Sequence, residues 1–291
     1  MIAHENAQRI LREGARRLRE AGVESPQREA EWLLGHLLNQ KPTALYLHEA
    51  AVPEAIAARF LQDIAARAGG APVQYLTGEA EFFGERFAVA PGVFIPRPET
   101  EAVVEAAVSR LRALERRLGR GLRLLDLGTG SGCIAVTLAR QLSACTVVAV
   151  EVSWTTLCVA AGNIRRHGLS ARVQVVCGRW MEPLRSGDCF DGIISNPPYV
   201  PTGQVDRLPL NVRQEPRMSL DGGEDGLRDL RQLVDAAPRV LRPGGLVAVE
   251  CAEAQVGPLA RHAAARPWVA SVDSLQDLAG RPRGLVIVRT G

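Results

Sequence analysis

The chain has 291 residues, 46% hydrophobic and 23% charged, which excludes disorder as its main state and leaves room for one large or two modest domains. Its 35 basic and 32 acidic residues leave a net charge of +3, too small for a polybasic nucleic-acid coat and of the wrong sign for a polyacidic tail. No apolar run approaches the ~18 residues of a membrane span, and six scattered cysteines without a C-x-x-C pair point to free thiols in a cytoplasmic protein rather than disulfides or zinc.

The N-terminal stretch reads as an amphipathic helix rather than a secretion signal. Ile10, Leu11, Ala15 and Leu18 recur at helical spacing. Trp32, Leu33, Leu34, Leu37 and Leu38 make a second apolar face after Ser25-Pro26, a helix-start signal. Ile56, Phe60, Leu61 and Ile64 make a third after Pro53, ended by Gly69-Gly70. Residues 1–73 are therefore expected to form a helical bundle. Lys41 is the only lysine, so no Schiff-base chemistry is expected elsewhere. Residues 74–95 alternate large apolar residues with glycines and acids, the pattern of a β-hairpin linking two domains. Pro96 and Pro98 interrupt any helix, and a helix is expected from Thr100 through Leu118.

Residues 96–291 read as a doubly wound α/β domain. Candidate strands are Arg123–Leu127, Thr146–Val152, Val173–Cys177, Gly192–Ser195, Leu246–Cys251, Val269–Ser274 and Leu285–Arg289. The early ones are continuous apolar runs, as in a covered parallel sheet. The last two lack a full helix between them, which predicts an antiparallel edge.

The first of these strands runs into DLGTGSG, where Gly128, Gly130 and Gly132 turn the chain into a helix below Asp126. Glycines let a ligand approach the backbone. The third comes one residue too early for the G-x-G-x-x-G dinucleotide fingerprint, so no pyrophosphate cradle is expected. Glu151 ends the next strand, 21 residues after Gly130, where a carboxylate can accept both hydroxyls of a ribose. Together these fit an adenosine with little or no phosphate, with S-adenosylmethionine the obvious candidate and Asp126 near its charged end. Trp180 is placed to pack on the adenine face.

Asn196-Pro197-Pro198-Tyr199 follows the fourth strand. The Asn196 side-chain oxygen and the Pro197 carbonyl can accept both hydrogens of a planar NH2 group, with Tyr199 as an aromatic wall. An amide nitrogen is a poor nucleophile because its lone pair is delocalised. Two acceptors favour the electron distribution it reaches during attack and orient it toward a sulfonium methyl. No metal is required.

PVQYLTGEAEFFG, FIPRPETE, DLGTGSG, NPPY, QEPRMSLDGGEDGL (Gln214–Leu227), LRPGG (Leu241–Gly245), Glu250 and DLAGRPRG (Asp277–Gly284) occur in one order along nearly the whole chain. In this the chain resembles the glutamine methyltransferases that modify peptide chain release factors. The resemblance implies S-adenosylmethionine-dependent methylation of the side-chain amide nitrogen of the glutamine in a Gly-Gly-Gln motif. It implies a Rossmann-like class I methyltransferase domain with a seven-stranded mixed sheet, joined by a β-hairpin to a small helical domain. Because that domain carries no catalytic cluster, it is expected to dock the substrate protein. By position, Gly128, Thr129, Gly130, Ser131 and Gly132 line the cofactor, Glu151 holds its ribose and Trp180 flanks its adenine. Asn196, Pro197, Pro198 and Tyr199 hold the glutamine, with Asn196 also at the cofactor. Neither a membrane nor a specific nucleic-acid partner is expected.

The chain departs from the family pattern in three places. Glu151 stands where aspartate is common. Arg179 replaces an acid before Trp180 and is expected to point to solvent. Trp154 and Thr155 replace a proline-containing turn. Three rival readings stand beside this one. A ribosomal-protein glutamine methyltransferase resembles the chain less well at PRPETE. A DNA adenine methyltransferase would need base flipping and a basic groove. A non-catalytic binding module would not need an intact NPPY motif.

Overall fold

The computed structural model describes residues 5–46, 51–187, 189–277 and 279–291. The chain divides into two compact units. One comprises Met1–Glu79 with Pro209–Gln214, the other Ala80–Leu208 with Glu215–Gly291.

The first unit is built on the helices Ala7–Glu20, Pro26–Leu37 and Glu54–Ala68. Asn6 caps the first, its side chain accepting from the amides of Gln8 and Arg9 at 2.9 and 3.3 Å. Ile10, Leu11, Ala15 and Leu18 are buried as their spacing predicts, and pack with Leu33, Leu34, Phe60 and Ile64. Gly14 lets two helices close up, since an added Cβ would lie 2.6 Å from Phe60 Cζ. The second apolar face is narrower than expected. Trp32 is exposed and Leu37 and Leu38 are only half-buried, because a three-helix core needs one stripe, not half a cylinder. Val73–Thr77 form a single helical turn in a stretch expected to be hairpin. Pro72 precedes it with φ near that of a helix, which favours a start there.

The hairpin strands are Glu79–Phe82 and Glu85–Ala88. Phe83 and Gly84 both have positive φ (51° and 71°), the geometry that a two-residue hairpin turn demands. Phe82 and Phe87 are buried in the core of the second unit. The Asn163 amide pins Ala88 from both sides, accepting from its N–H at 2.8 Å and donating to its carbonyl at 2.9 Å.

The second unit holds a seven-stranded sheet. Its strands are β1 Arg123–Leu127, β2 Thr146–Glu151, β3 Val173–Cys177, β4 Phe190–Ser195, β5 Leu241–Glu250, β6 Val269–Gln276 and β7 Pro282–Arg289. In space they run β6-β7-β5-β4-β1-β2-β3, with two apolar layers covering the faces. All pairings among β1 to β5 are parallel, whereas β7 is antiparallel to both β5 and β6. The reversed strand is thus one in from the edge, and the edge strand β6 runs with the others. A short β6–β7 connection produces this order, because it forces antiparallel pairing and β7 then fills the place beside β5. β5 begins at Leu241, five residues before its predicted start, across a register shift between Phe190/Gly192 and Leu241/Leu246. The long helix runs Pro98–Leu118. It starts two residues earlier than expected because proline suits the first helical position, where its missing N–H costs nothing.

Asp191 on β4 is buried and takes both Arg120 guanidinium nitrogens at 2.7 and 3.0 Å, Arg242 at 3.0 Å and the Arg123 amide at 2.8 Å. Burial alone would raise its carboxyl. Arg120, the Arg123 amide and Arg242 hold it below the ordinary carboxylate value instead. Its contribution to stability is therefore full above the unfolded pKa of about 3.9 and is lost as pH falls through the lower folded value. Asp191→Asn should cost about 2–3 kcal/mol near neutral pH, less than a fully buried pair because the arginine heads reach water. Urea titrations at two pH values check this, with the gap between variant and parent closing in acid.

Candidate active site

The glycine loop leaves the carboxyl end of β1. Gly128, Gly130 and Gly132 all have positive φ (71°, 56° and 83°), which explains three glycines in five residues. The amides of Gly128 and Thr129 donate to the Val150 carbonyl at 2.9 and 3.0 Å, tying the loop to β2. Asp126 lies beneath this loop, fully buried. One oxygen accepts from Thr129 Oγ1 at 2.5 Å and from the Ala135 amide at 3.0 Å. Burial, opposed by these two hydrogen bonds, pushes it up to about 7. Through that oxygen Asp126 braces the loop and the first turn of the following helix, while Oδ1 is buried without a hydrogen-bond partner. Asp126 is not among the cavity-lining residues, so it stands behind the wall rather than in it, which corrects the expectation that placed it at a cofactor's charged end.

Gly128, Thr129, Gly130, Ser131, Glu151, Trp180, Asn196 and Pro198 line one cavity of about 730 Å3. Gly132, Pro197 and Tyr199 do not. Gly132 instead backs onto Ala160, whose atoms an added Cβ would meet at 3.4 Å. Glu151 ends β2 with both carboxylate oxygens oriented by backbone. Oε2 accepts from Gly130 N at 3.1 Å and Oε1 from Ser153 N at 3.0 Å. A carboxylate has about four acceptor sites, so each oxygen keeps capacity for a further donor.

Trp180 is held in the left-handed region, φ 47°, costly for a bulky residue. Its indole N–H donates to Asp229 Oδ1 at 3.2 Å, and its ring lies over Gly128, where an added Cβ would be 3.4 Å from Cζ3. Asp229 is buried at the cavity wall and also takes Arg228 at 2.8 Å. The sequence carried no signal for it, since it sits 49 residues beyond Trp180. Arg179 is half-exposed as expected, but it is not idle, because its guanidinium reaches the same Asp229 oxygen at 3.5 Å.

NPPY follows β4, whose last residue ties it to β1 through a Ser195 Oγ donation to the Leu127 carbonyl at 2.7 Å. The Asn196 amide nitrogen donates to Thr100 Oγ1 at 2.9 Å. Thr100 in turn donates to Glu250 Oε2 at 2.6 Å, and Tyr199 Oη donates to Glu250 Oε1 at 3.1 Å. Tyr199 is thus wired behind the site rather than standing as an open wall of the cavity. Burial, and then Glu250, hold its phenol above the ordinary range. The glycine-rich stretch of QEPRMSLDGGEDGL wraps the NPPY backbone. Val200 N donates to Leu220 O at 2.8 Å and Gly222 N to Val200 O at 2.9 Å, and Gln255 Nε2 donates to Tyr199 O at 2.7 Å. In the same stretch, buried Glu215 accepts from the Ile95 amide at 3.0 Å and from the Arg97 guanidinium. It thereby fixes FIPRPETE at the cavity. Thr100, Glu215 and Glu250 were visible as motif members, but their pairing was not.

Residues 9–78 match the PrmC N-terminal domain and residues 87–211 the methyltransferase small domain. A release factor glutamine methyltransferase of Moorella thermoacetica is 44% identical over 280 residues, 96% of this chain and 97% of that protein. The chain belongs to the release factor glutamine methyltransferase family. The Geobacter sulfurreducens protein of the same name is 46% identical over 80% of this chain and 79% of its own length. Among solved structures, a Pyrococcus furiosus methyltransferase has a TM-score of 0.51 at 23% identity, covering 80% of this chain and 97% of that one. The N-terminal domain of human METTL16, in complex with SAH, has a TM-score of 0.52 at 17% identity, covering 88% and 93%. These two share the fold.

Proposed function

We propose that the protein transfers a methyl group from S-adenosylmethionine to the side-chain amide nitrogen of the glutamine in the Gly-Gly-Gln motif of peptide chain release factors. The observation that carries this reading is the wiring of Asn196. Its amide nitrogen is spent on Thr100, so its oxygen is left to accept from an NH2 group at the cavity wall.

The residues present fit the cofactor. Glu151, aimed by two backbone amides, suits vicinal hydroxyls. Trp180 gives a flat apolar face at the same cavity. The loop at Gly130 leaves space, since an added Cβ would meet nothing nearer than Gly128 O at 4.0 Å. When bound, S-adenosylmethionine supplies an electrophilic methyl on a sulfonium sulfur. The chain's own residues bind and orient. Asn196 Oδ1 accepts one N–H of the glutamine amide at the cavity wall, and the Pro197 carbonyl, although Pro197 is not among the lining residues, is assigned the other. They hold its nitrogen in line and stabilise the positive charge it gains during attack. Methylation leaves the nitrogen positively charged, and the proton it then sheds leaves along one of these hydrogen bonds. Asp229, through Trp180, keeps the adenine wall in place.

Glu151→Gln should weaken S-adenosylhomocysteine binding about 10- to 100-fold, the cost of a lost charge-assisted hydrogen bond, as measured by calorimetry. The helical unit is assigned the docking of the release factor body, because it is compact by itself and holds none of the cavity residues. Removing residues 1–70 should weaken release factor binding much more than cofactor binding. Equal losses in the two dissociation constants would end that role.

The function is tested by tandem mass spectrometry of a release factor incubated with the protein and S-adenosylmethionine. One methyl on the Gly-Gly-Gln glutamine is expected. An unmodified factor, with cofactor binding intact in a thermal-shift assay, would overturn the substrate.

A further inference from the structure

We infer that Thr100 and Glu250 are positioning residues that decide which end of the Asn196 amide faces the substrate. The inference rests on the reading above, in which Asn196 accepts from a planar NH2.

The two ends of an asparagine amide are nearly the same shape, so only its hydrogen-bond partners choose between them. Asn196 faces Thr100 Oγ1 at 2.9 Å. A hydroxyl carries one proton and two lone pairs. Glu250 Oε2 lies 2.6 Å away on the other side, and an ionised carboxylate can only accept. The threonine proton is therefore spent on Glu250, and only lone pairs are left toward Asn196. The amide answers with its NH2 and turns Oδ1 away from Thr100. The second carboxylate oxygen is fixed the same way by Tyr199 Oη at 3.1 Å. Glu250 thus orients both the first and the last residue of NPPY.

Glu250 is 1% exposed and Thr100, which touches the cavity, 3%, so little water can stand in for either partner. A buried carboxylate is expensive unless it is paired or hydrogen-bonded. An apolar residue would pack here at less cost but would leave the Thr100 proton free to point at Asn196.

The direction of this chain depends on the charge of Glu250. Burial pushes its carboxyl up to about 7, opposed by the hydrogen bonds from Thr100 and Tyr199, with Glu99 raising it further and Arg283 lowering it. The adjacent Cys251 thiol is itself raised by burial and by Glu250. Once protonated, Glu250 can donate to Thr100. The threonine proton then turns to Asn196, and the amide must flip, presenting NH2 against the NH2 of the substrate. Turnover should therefore fall as pH drops through the Glu250 titration.

Thr100→Val keeps the shape and removes the acceptor. We expect kcat on a release factor to fall at least about 10-fold, with S-adenosylhomocysteine affinity within about twofold and Thr100→Ser restoring most of the loss. In Glu250→Gln the acid limb of the kcat profile should disappear, which a merely structural role would not cause. A substrate-free readout is the 15N-resolved side-chain amide signal of Asn196. It should titrate with the same midpoint as Glu250, shift in Thr100→Val and stop titrating in Glu250→Gln. Wild-type turnover in a folded Thr100→Val protein would overturn the inference. So would an Asn196 signal indifferent to pH and to both substitutions. If the wild-type protein leaves the release factor unmodified, the substrate reading fails by itself, and the Asn196 signal still decides the orientation.

Discussion

Asn196→Ala is expected to lower kcat for release factor methylation by about 10²–10³-fold, or about 3–4 kcal/mol of transition-state stabilisation. The reason is that the Asn196 oxygen does more for the attacking nitrogen than for the resting amide. In the ground state it takes one ordinary N–H bond. As nitrogen gives its lone pair to the methyl group the N–H becomes acidic, and the same bond strengthens. Affinity for S-adenosylhomocysteine should change by no more than about threefold, because Glu151, Trp180 and the glycine loop are untouched; a one-decade change would already need 1.4 kcal/mol. Asn196→Asp separates the oxygen from the wiring. It keeps an acceptor at the cavity but sets a second one against Thr100 Oγ1, whose proton is committed to Glu250. Its turnover should also fall well below the parent. Single-turnover kinetics with calorimetry check both variants, and near-normal turnover in Asn196→Ala would contradict the acceptor role.

Gly226→Ala is expected to be the most damaging one-carbon change around NPPY. Gly226 has φ +73°, and an added Cβ would lie 2.2 Å from Tyr199 O and 2.3 Å from Gln255 Nε2. Backbone cannot yield as a flexible side chain does, and Gln255 is itself bound to that same Tyr199 carbonyl at 2.7 Å. Two costs therefore add, left-handed backbone strain and a displaced clamp, for about 2–4 kcal/mol. Thermal unfolding should show the loss, and methyl transfer should fall further than stability alone explains, since the displaced atoms belong to NPPY. Gly203→Ala is the control. It lies in the same region of the chain, has nothing within 4 Å of an added Cβ, and should leave both stability and turnover near those of the parent.

The two halves of the site differ in how they were legible. The cofactor half could be read because its parts are close in sequence. A strand, a five-residue loop, a helix and a second strand fix the distance from Gly130 to Glu151 by the geometry of a βαβ unit, whatever the rest of the chain does. The substrate half could be read only as a chemical possibility. NPPY allows an acceptor at Asn196, but an asparagine offers a donor as readily. Which end faces the cavity depends on Thr100 and Glu250, 96 residues before Asn196 and 150 residues beyond Thr100 respectively. The tryptophan of CGRW was likewise visible, but not its left-handed backbone or its anchor on Asp229.

The bundle helices, the parallel strands and the glycine turn could be read from local sequence, although several boundaries and the Val73–Thr77 turn could not. Local rules suffice for the first three: apolar spacing for the bundle helices, continuous apolar runs for the parallel strands, glycines where φ must be positive. Long-range packing set the position of β7 inside the sheet, put Asp126 behind the cavity wall and directed the hydrogen-bond chain behind NPPY. Each of these is settled by which groups share a buried space. Most buried donors and acceptors pair wherever the fold brings a partner, and separation along the chain puts no limit on that choice.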